Sequence, residues 1–482
     1  MKHQLLIALI VFIPVIGAFL LPVASMVSKG FRNVLALLFV SASCVMSLAL
    51  VPYLLSGSTI TLQYPAPMGL NFVLYVDQLA IFMAIVSSFI GAIIVLYSFD
   101  YISHYPNQNE YYLLVVLFIG SMMGLVFSGN LILMFVFWEM TGIASWRLIG
   151  FYREKNVVLK ADKSFLVTVF GALVMLLGFI MLYDQTGTFD LLGIKSALAG
   201  QPIRDLIVIL ILFGILSKSA TLPLHTWLPD AGVAPSPVTA LLHAAVLVKI
   251  GVYVYARLFC ATFSVTEIWT TVVPVIAAAS ALVSACAALI DKDLKRIIAY
   301  STISQIGFIF LGLSSGNPVG IAGGLLYILM HGLAKAGLFL CAGIVEQNTH
   351  EKDITKLGGL FKTMPITAIA FLLCAFSVMG IPPFGGFFSK YMVIAGTVNN
   401  GQYWIAGVFI AGAVLTILYL FRVFTMVFMG EAKEGHTARE ASPVMVFCVA
   451  LLAVLSILGG IYIKYPGSFV ESTVQQMAGL IK

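Results

Sequence analysis

The stretch Ile207-Val208-Ile209-Leu210-Ile211-Leu212-Phe213-Gly214-Ile215-Leu216-Ser217-Lys218-Ser219-Ala220-Thr221-Leu222-Pro223 decides how this chain is read. It makes up most of a largely apolar span near 204–224, about the 20 residues that cross a bilayer. Yet it carries a lysine and a proline. Pro223 removes a backbone donor, so regular helix cannot run through it. Broken helices at membrane depth are tolerated where they face protein or water, and they recur at ion sites.

Apolar runs of this kind recur along the chain. Of its 482 residues 61% are hydrophobic and 10% charged, against about 25% charged in soluble domains. Working outward gives about fourteen spans. They are placed near 4–22, 33–55, 77–99, 111–128, 131–151, 163–183, 204–224, 236–258, 268–290, 296–314, 319–344, 363–394, 403–429 and 442–463. The expected fold is all-α: a polytopic integral membrane protein forming one transmembrane domain over 1–482. Lys2 and the apolar run after it look superficially like a signal peptide. Val23-Ala24-Ser25 is a poor cleavage site and further spans follow, so an uncleaved first helix is expected.

Composition excludes several function classes. No cysteine pair is spaced CxxC, and all but Cys260 lie well within apolar runs. They read as small buried residues rather than ligands of zinc or an iron–sulfur cluster. No GxGxxG or GxxxxGK[ST] motif occurs, so a nucleotide site has no support. No cofactor and no metal are expected. The net charge of +6 speaks to membrane orientation before nucleic acid. Links after odd-numbered spans hold fifteen Lys and Arg, Lys29, Arg32, Arg153, Lys295, Arg296 and Lys433 among them. The other side holds six: Lys2, Lys195, Arg204, Arg257, Lys464 and Lys482. The positive-inside rule puts the richer side in the cytoplasm and both termini outside.

Five basic residues remain, all inside spans: Arg147, Lys218, Lys249, Lys335 and Lys390. A charge at the bilayer centre costs about 2.5–3.5 kcal/mol on insertion scales and faces a bundle interior or water path. Glu139, in span five, is the acid placed deep in a span; Asp77 and Asp100 are placed at the ends of span three. Lys390 follows Gly380-Ile381-Pro382-Pro383-Phe384-Gly385-Gly386, a second interruption. In span eight His243 and Lys249 are six residues apart, about 120° around a regular helix. In span eleven Tyr327, His331 and Lys335 repeat every four residues and share a face, a plausible proton wire. Each residue also has a structural reading. A buried histidine can satisfy a local hydrogen bond, Arg147 can snorkel toward Arg153, and Glu139 with Lys218 can be an ion pair holding two helices. Lysine suits a switch: burial favours its neutral form and a nearby carboxylate its charged form. It is a poor metal ligand.

With these residues the chain resembles the antiporter-like membrane subunits of respiratory complex I, Mrp-type cation/proton antiporters and membrane-bound nickel–iron hydrogenases. The similarity is carried by Leu74-Tyr75-Val76-Asp77, the Phe-Trp-Glu segment ending at Glu139, Ser217-Lys218-Ser219-Ala220 through Trp227-Leu228-Pro229-Asp230-Ala231, and Pro235-Ser236-Pro237-Val238. It continues through Leu242-His243-Ala244, Lys295-Arg296 to Ala299-Tyr300-Ser301-Thr302-Ile303-Ser304-Gln305, and Phe387-Phe388-Ser389-Lys390. Within the family the chain is most similar to the hydrogenase-4 or formate-hydrogenlyase type, from Glu110-Tyr111-Tyr112 to Val126, in the Ser145 to Tyr152 region and in its length. The resemblance implies two inverted five-helix units, about 111–258 and 268–429, with broken helices seven and twelve. It also implies a proton relay over Glu139, Lys218, His243, Lys249, His331, Lys335 and Lys390. Two departures stand out. Tyr327 stands where some relatives have histidine, and Arg147 replaces a residue commonly apolar.

The expected function is proton translocation within a redox-driven membrane complex of the hydrogenase or complex I-like type. The redox centre would lie in partner subunits, in a bacterial or archaeal cytoplasmic membrane. Protons would enter through span eight to Lys218, pass Lys249, His331 and Lys335, and leave by Lys390, with Glu139 and Lys218 as the gate. The alternatives are an Mrp-type Na+/H+ antiporter subunit and a structural membrane anchor with an inactive path.

Overall fold

The protein is described by a computed structural model covering residues 2–67, 70–431 and 439–479. Lys433, Lys482 and the side chain of Lys2 lie outside that description. The chain is helical nearly throughout. Helices α1 (Lys2–Val27), α2 (Lys29–Leu55), α3 (Gln78–Tyr101), α4 (Gln108–Phe127), α5 (Leu131–Ile149) and α6 (Lys155–Thr186) are the first six spans. A β-hairpin, β1 (Ile60–Tyr64) against β2 (Phe72–Val76), precedes α3. A short helix α7 (Leu191–Leu198) follows α6.

The seventh span breaks as the proline signal predicts. Helix α8 (Asp205–Lys218) ends on Lys218, Ala220 turns left-handed at φ 51°, and α9 (Trp227–Asp230) resumes beyond Pro223. The eighth span is also interrupted. Helix α10 (Ser236–Ala240) passes into a π turn over Leu241–Ala245, then α11 (Leu247–Tyr255) leads to a second π turn over Ala256–Cys260. After α12 (Trp269–Ile290), α13 (Leu294–Ser314) and α14 (Pro318–Thr349), the twelfth span breaks into α15 (Pro365–Met379) and α16 (Gly385–Asn399) at Gly380, φ 82°. Helices α17 (Tyr403–Val427) and α18 (Pro443–Ile461) complete the spans, and the short α19 (Lys464–Met477) follows.

Side-chain caps set many helix starts: Ser28 for α2, Asp77 for α3, Asn130 for α5, Asp293 for α13, Asn317 for α14 and Ser442 for α18 each accept from a first-turn N–H. Helices α10, α11, α13 and α14 are almost wholly buried, whereas α1, α2, α6 and α17 expose apolar side chains such as Phe19, Leu38, Phe170 and Trp404. A bundle with an apolar exterior and its polar groups inside is what a bilayer requires.

Contacts between the links sort into the two sides read from the basic residues. On the basic face Arg32 donates to Gln108 and Asn109 at 2.8 and 2.6 Å, and Asp230 pairs with Lys163 and Arg296, each at 2.8 Å. On the opposite face Asn130 donates to Asp190 at 2.7 Å and Gln402 to the Thr270 carbonyl at 2.8 Å. Arg32 is 1% exposed, and three more link or interfacial residues, Asp77, Arg257 and Lys295, are also buried. Asp77 accepts both guanidinium nitrogens of Arg257 at 2.6 Å beneath the hairpin. Lys295, 1% exposed, pairs with Glu346 at 2.8 Å. The Lys295–Glu346 pair is buried because its helices outrun the apolar count: α13 begins at Leu294 and α14 continues past the expected 344 to Thr349.

Candidate functional site

The expected relay residues line the interior. Lys218 is 1% exposed, Lys390 4%, and His243, Lys249, His331 and Lys335 0%. Lys218 is the last residue of α8. A helix C-terminus favours a cation there by about 0.3–1 kcal/mol. Its Nζ donates to the Trp138 carbonyl at 3.1 Å and lies 5.4 Å from the Trp138 ring centroid, a favourable cation–π position. Glu139, next in α5, is only half-buried. It forms no ion pair with Lys218. A Cβ on Gly142 would lie 3.4 Å from Lys218 Nζ and 4.0 Å from Glu139 Oε2, so both charges face one small gap that glycine leaves open. The ion-pair reading of these two residues is therefore not realised, although they stand as neighbours.

The 120° relation of His243 and Lys249 does not hold. The π turn and the non-helical Val246 (φ −127°, ψ −72°) lie between them. Gly251 lets α11 press against the break after α8, because a Cβ there would sit 2.1 Å from Ser219 Oγ. Lys249 Nζ then lies 2.9 Å from His331 Nδ1 on α14. The His243 ring packs 4.5 Å from that of Phe339, and neither of its nitrogens has a protein partner.

The shared face of Tyr327, His331 and Lys335 is present on α14. Lys335 Nζ donates to Ser301 Oγ at 2.6 Å and to the Ile298 carbonyl at 3.1 Å. Tyr419 of α17 donates to the same Ser301 oxygen at 2.7 Å. Gln305 donates to Thr416 at 3.2 Å and accepts from Tyr327 at 2.6 Å. Lys390 donates to the Val378 carbonyl at 2.7 Å, and its Nζ lies 4.5 and 5.7 Å from the ring centroids of Phe308 and Tyr327. A side loop of hydroxyls and one amide thus runs from Lys335 to the ring beneath Lys390.

Ser301, Gln305 and Tyr419 are absent from the residues singled out from sequence. The first two sit in the quoted Ala299–Gln305 segment with a four-residue spacing that matches α14, a signal open to use. Glu346 lies beyond the apolar run that stops near 344, although α14 continues to Thr349. Arg147 is not a buried charge: its side chain is 41% exposed, and it pairs with Glu110, as does Arg153 at 2.5 Å. Snorkelling toward Arg153 is the correct account. Among the described residues, no group of three or more His, Cys, Asp or Glu is placed to hold a metal ion.

A bundle with two broken spans around a buried amine-and-imidazole file is that of an antiporter-like membrane subunit. Residues 128–416 match the family described as NADH:quinone oxidoreductase/Mrp antiporter, and the chain belongs to that family. Residues 64–112 match the family described as NADH-ubiquinone oxidoreductase (complex I), chain 5 N-terminus. The chain is 33% identical over 463 residues to a Na+/H+ antiporter subunit A1 of Staphylococcus haemolyticus, covering 89% of this chain and 57% of that one. The subunit A1 of Staphylococcus aureus is 33% identical over 460 residues with the same coverage. The chain therefore spans little more than half the length of these curated relatives. Its fold matches a chain of the membrane-bound sulfane sulfur reductase, an archaeal respiratory membrane complex, at TM-score 0.89 and 25% identity over 98% of both chains. It also matches a chain of the Mrp complex of a Dietzia species at TM-score 0.89 and 22% identity, over 99% and 98% of the two chains. Respiratory complex I of Thermus thermophilus gives TM-score 0.86 and 24% identity over 99% and 100%.

Proposed function

We propose that this chain is a proton-translocating, antiporter-like subunit of a multisubunit membrane complex, driven by redox chemistry in partner subunits. The observation that carries this reading is the file of six buried amines and imidazoles, Lys218, His243, Lys249, His331, Lys335 and Lys390, each at most 4% exposed. Such groups are costly in a membrane interior unless they serve a path. Protons enter from the basic face, which is cytoplasmic by the positive-inside rule, with both termini outside. They pass Lys218, Lys249, His331 and Lys335 and leave by Lys390. Glu139 acts on Lys218 across the gap at Gly142: its charge favours the ammonium and its neutralisation the amine. The two five-helix groups beginning at α4 and α12, each with a broken fourth span, act as two inverted half-channels.

The test is proton translocation by the purified parent complex in vesicles. Lys218→Ala or Glu139→Ala abolishes it while the complex still assembles; unchanged translocation contradicts the reading. A second reading, cation/proton antiport, is favoured by the matches to proteins named as Na+/H+ antiporter subunits. Sodium-dependent proton movement without an electron donor selects it.

A further inference from the structure

His243 belongs to the file of buried groups, and neither of its ring nitrogens has a hydrogen-bond partner in the protein. Something must bring protons to it from the basic face. Glu346 stands at that junction. It lies on α14, eleven residues beyond Lys335, which is about 16 Å and just over three turns along one face. Its two carboxylate oxygens look in different directions. Oε1 is 2.8 Å from the ammonium of Lys352, which is 39% exposed. Oε2 is 2.8 Å from the buried ammonium of Lys295 and accepts from Ser236 Oγ at 3.3 Å.

Ser236 opens α10, and His243 follows on the same segment two turns on. Thr239, between them at helical spacing, is fully buried, and its hydroxyl donates to the Ser236 carbonyl at 2.8 Å. Gly343 permits the approach: a Cβ there would lie 2.5 Å from the Ser236 Cβ. On the outer side, Gln347 and Asn348, next to Glu346, help line an open cavity of about 540 Å³ together with His104, His350 and Glu440.

We propose that Glu346 is the proton-loading residue, taking protons at the basic face and passing them through Lys295, Ser236 and Thr239 to His243. This rests on the translocation reading above. A proton from water protonates the Glu346 carboxylate, and the neutral acid no longer holds Lys295. Lys295 then gives up one N–H proton to Ser236 Oγ, 3.4 Å away, and the Thr239 hydroxyl, turning from the Ser236 carbonyl, carries a proton on to a His243 nitrogen. Glu346 returns its own proton to the Lys295 amine, restoring the pair. One proton enters, one reaches the imidazole, and no other reactant is consumed. The competing account is an ion-pair latch between α13 and α14.

The test compares initial proton uptake by vesicles carrying the intact parent complex. With Glu346→Gln, uptake falls on the order of a hundredfold, the scale of one positioned proton-transfer group, while the complex keeps its abundance. Glu346→Asp retains most of the rate. The double variant E346Q/K295M removes both buried charges and stays slow; a latch predicts that it recovers. If E346Q fails to assemble, the double variant alone decides. Near-normal uptake in E346Q, or recovery in E346Q/K295M, overturns the proposal. A parallel Lys218→Ala arm separates the two readings: slow K218A with fast E346Q overturns loading by Glu346 alone, and fast K218A overturns translocation through this chain as well.

Discussion

Lys249 on α11 and His331 on α14 meet Nζ to Nδ1 at 2.9 Å, across 82 positions of sequence. An ammonium and an imidazolium cannot share that contact favourably, because like charges at this distance each disfavour the other. On the proposed path the pair holds at most one excess proton at a time, and a proton reaching Lys249 moves on to His331. Lys249→Met and His331→Ala each slow translocation on the order of a hundredfold. The double variant is no slower than either single one, because both belong to one step. Additive losses in the same uptake assay would show that the two act apart.

Gln305 ties Tyr327 to Thr416, accepting at 2.6 Å and donating at 3.2 Å. Gln305→Leu strands the Tyr327 hydroxyl in a buried site, which costs about 1–3 kcal/mol. Adding Tyr327→Phe removes the stranded group and recovers most of that loss. The melting temperature of the purified complex is expected to fall in Q305L and to rise again in Q305L/Y327F. Translocation stays slow in both, because the hydroxyl side loop between Lys335 and Lys390 is cut. A double variant that is stable and fast would remove Tyr327 from the path.

Asp77 and Arg257 form a buried bidentate pair beneath the hairpin. Removing one partner of such a pair leaves an uncompensated charge and costs about 3–5 kcal/mol. Arg257→Met therefore lowers assembled complex sharply, and D77N/R257M recovers part of it. The readout is abundance of the complex in purified membranes. An R257M variant with normal abundance would contradict this account of the pair.

Asp230, at the basic face, pairs with both Lys163 and Arg296 at 2.8 Å. Burial pushes its carboxyl up, but the two cations outweigh this and hold it below the usual carboxylate value. A lowered acid contributes stability that is fully present above its unfolded value, about 3.9, and that fades as pH falls through its folded value. Asp230→Asn is therefore expected to lower the melting temperature at pH 7. The gap between variant and wild type closes below about pH 4. A gap that persists at lower pH would place the effect of D230N outside these ion pairs.

The spans are legible in the sequence because each is a continuous apolar run of bilayer length, and the breaks at Pro223 and Gly380 carry their own residue signals. The interior lysines are legible for the same reason: a charge inside an apolar run has few harmless places to go. What is not legible is which helices touch. Lys249 finds His331, Arg147 finds Glu110, and Tyr419 finds Ser301 across the bundle; no local pattern encodes these meetings. The π turn at Leu241–Ala245 contains no proline, so the angle between His243 and Lys249 could not be read from a regular period. Glu346 escapes because hydropathy marks where apolar residues stop, whereas α14 continues as helix to Thr349.

The central claim is that protons pass through this chain by its buried lysines. The direct measurement is driven proton translocation by the reconstituted parent complex carrying K218A/K390A, set beside its abundance and electron-transfer rate. The account predicts a fully assembled complex in which the proton flux assigned to this chain is gone. Wild-type translocation in that double variant would mean the path is inactive and the chain a structural anchor.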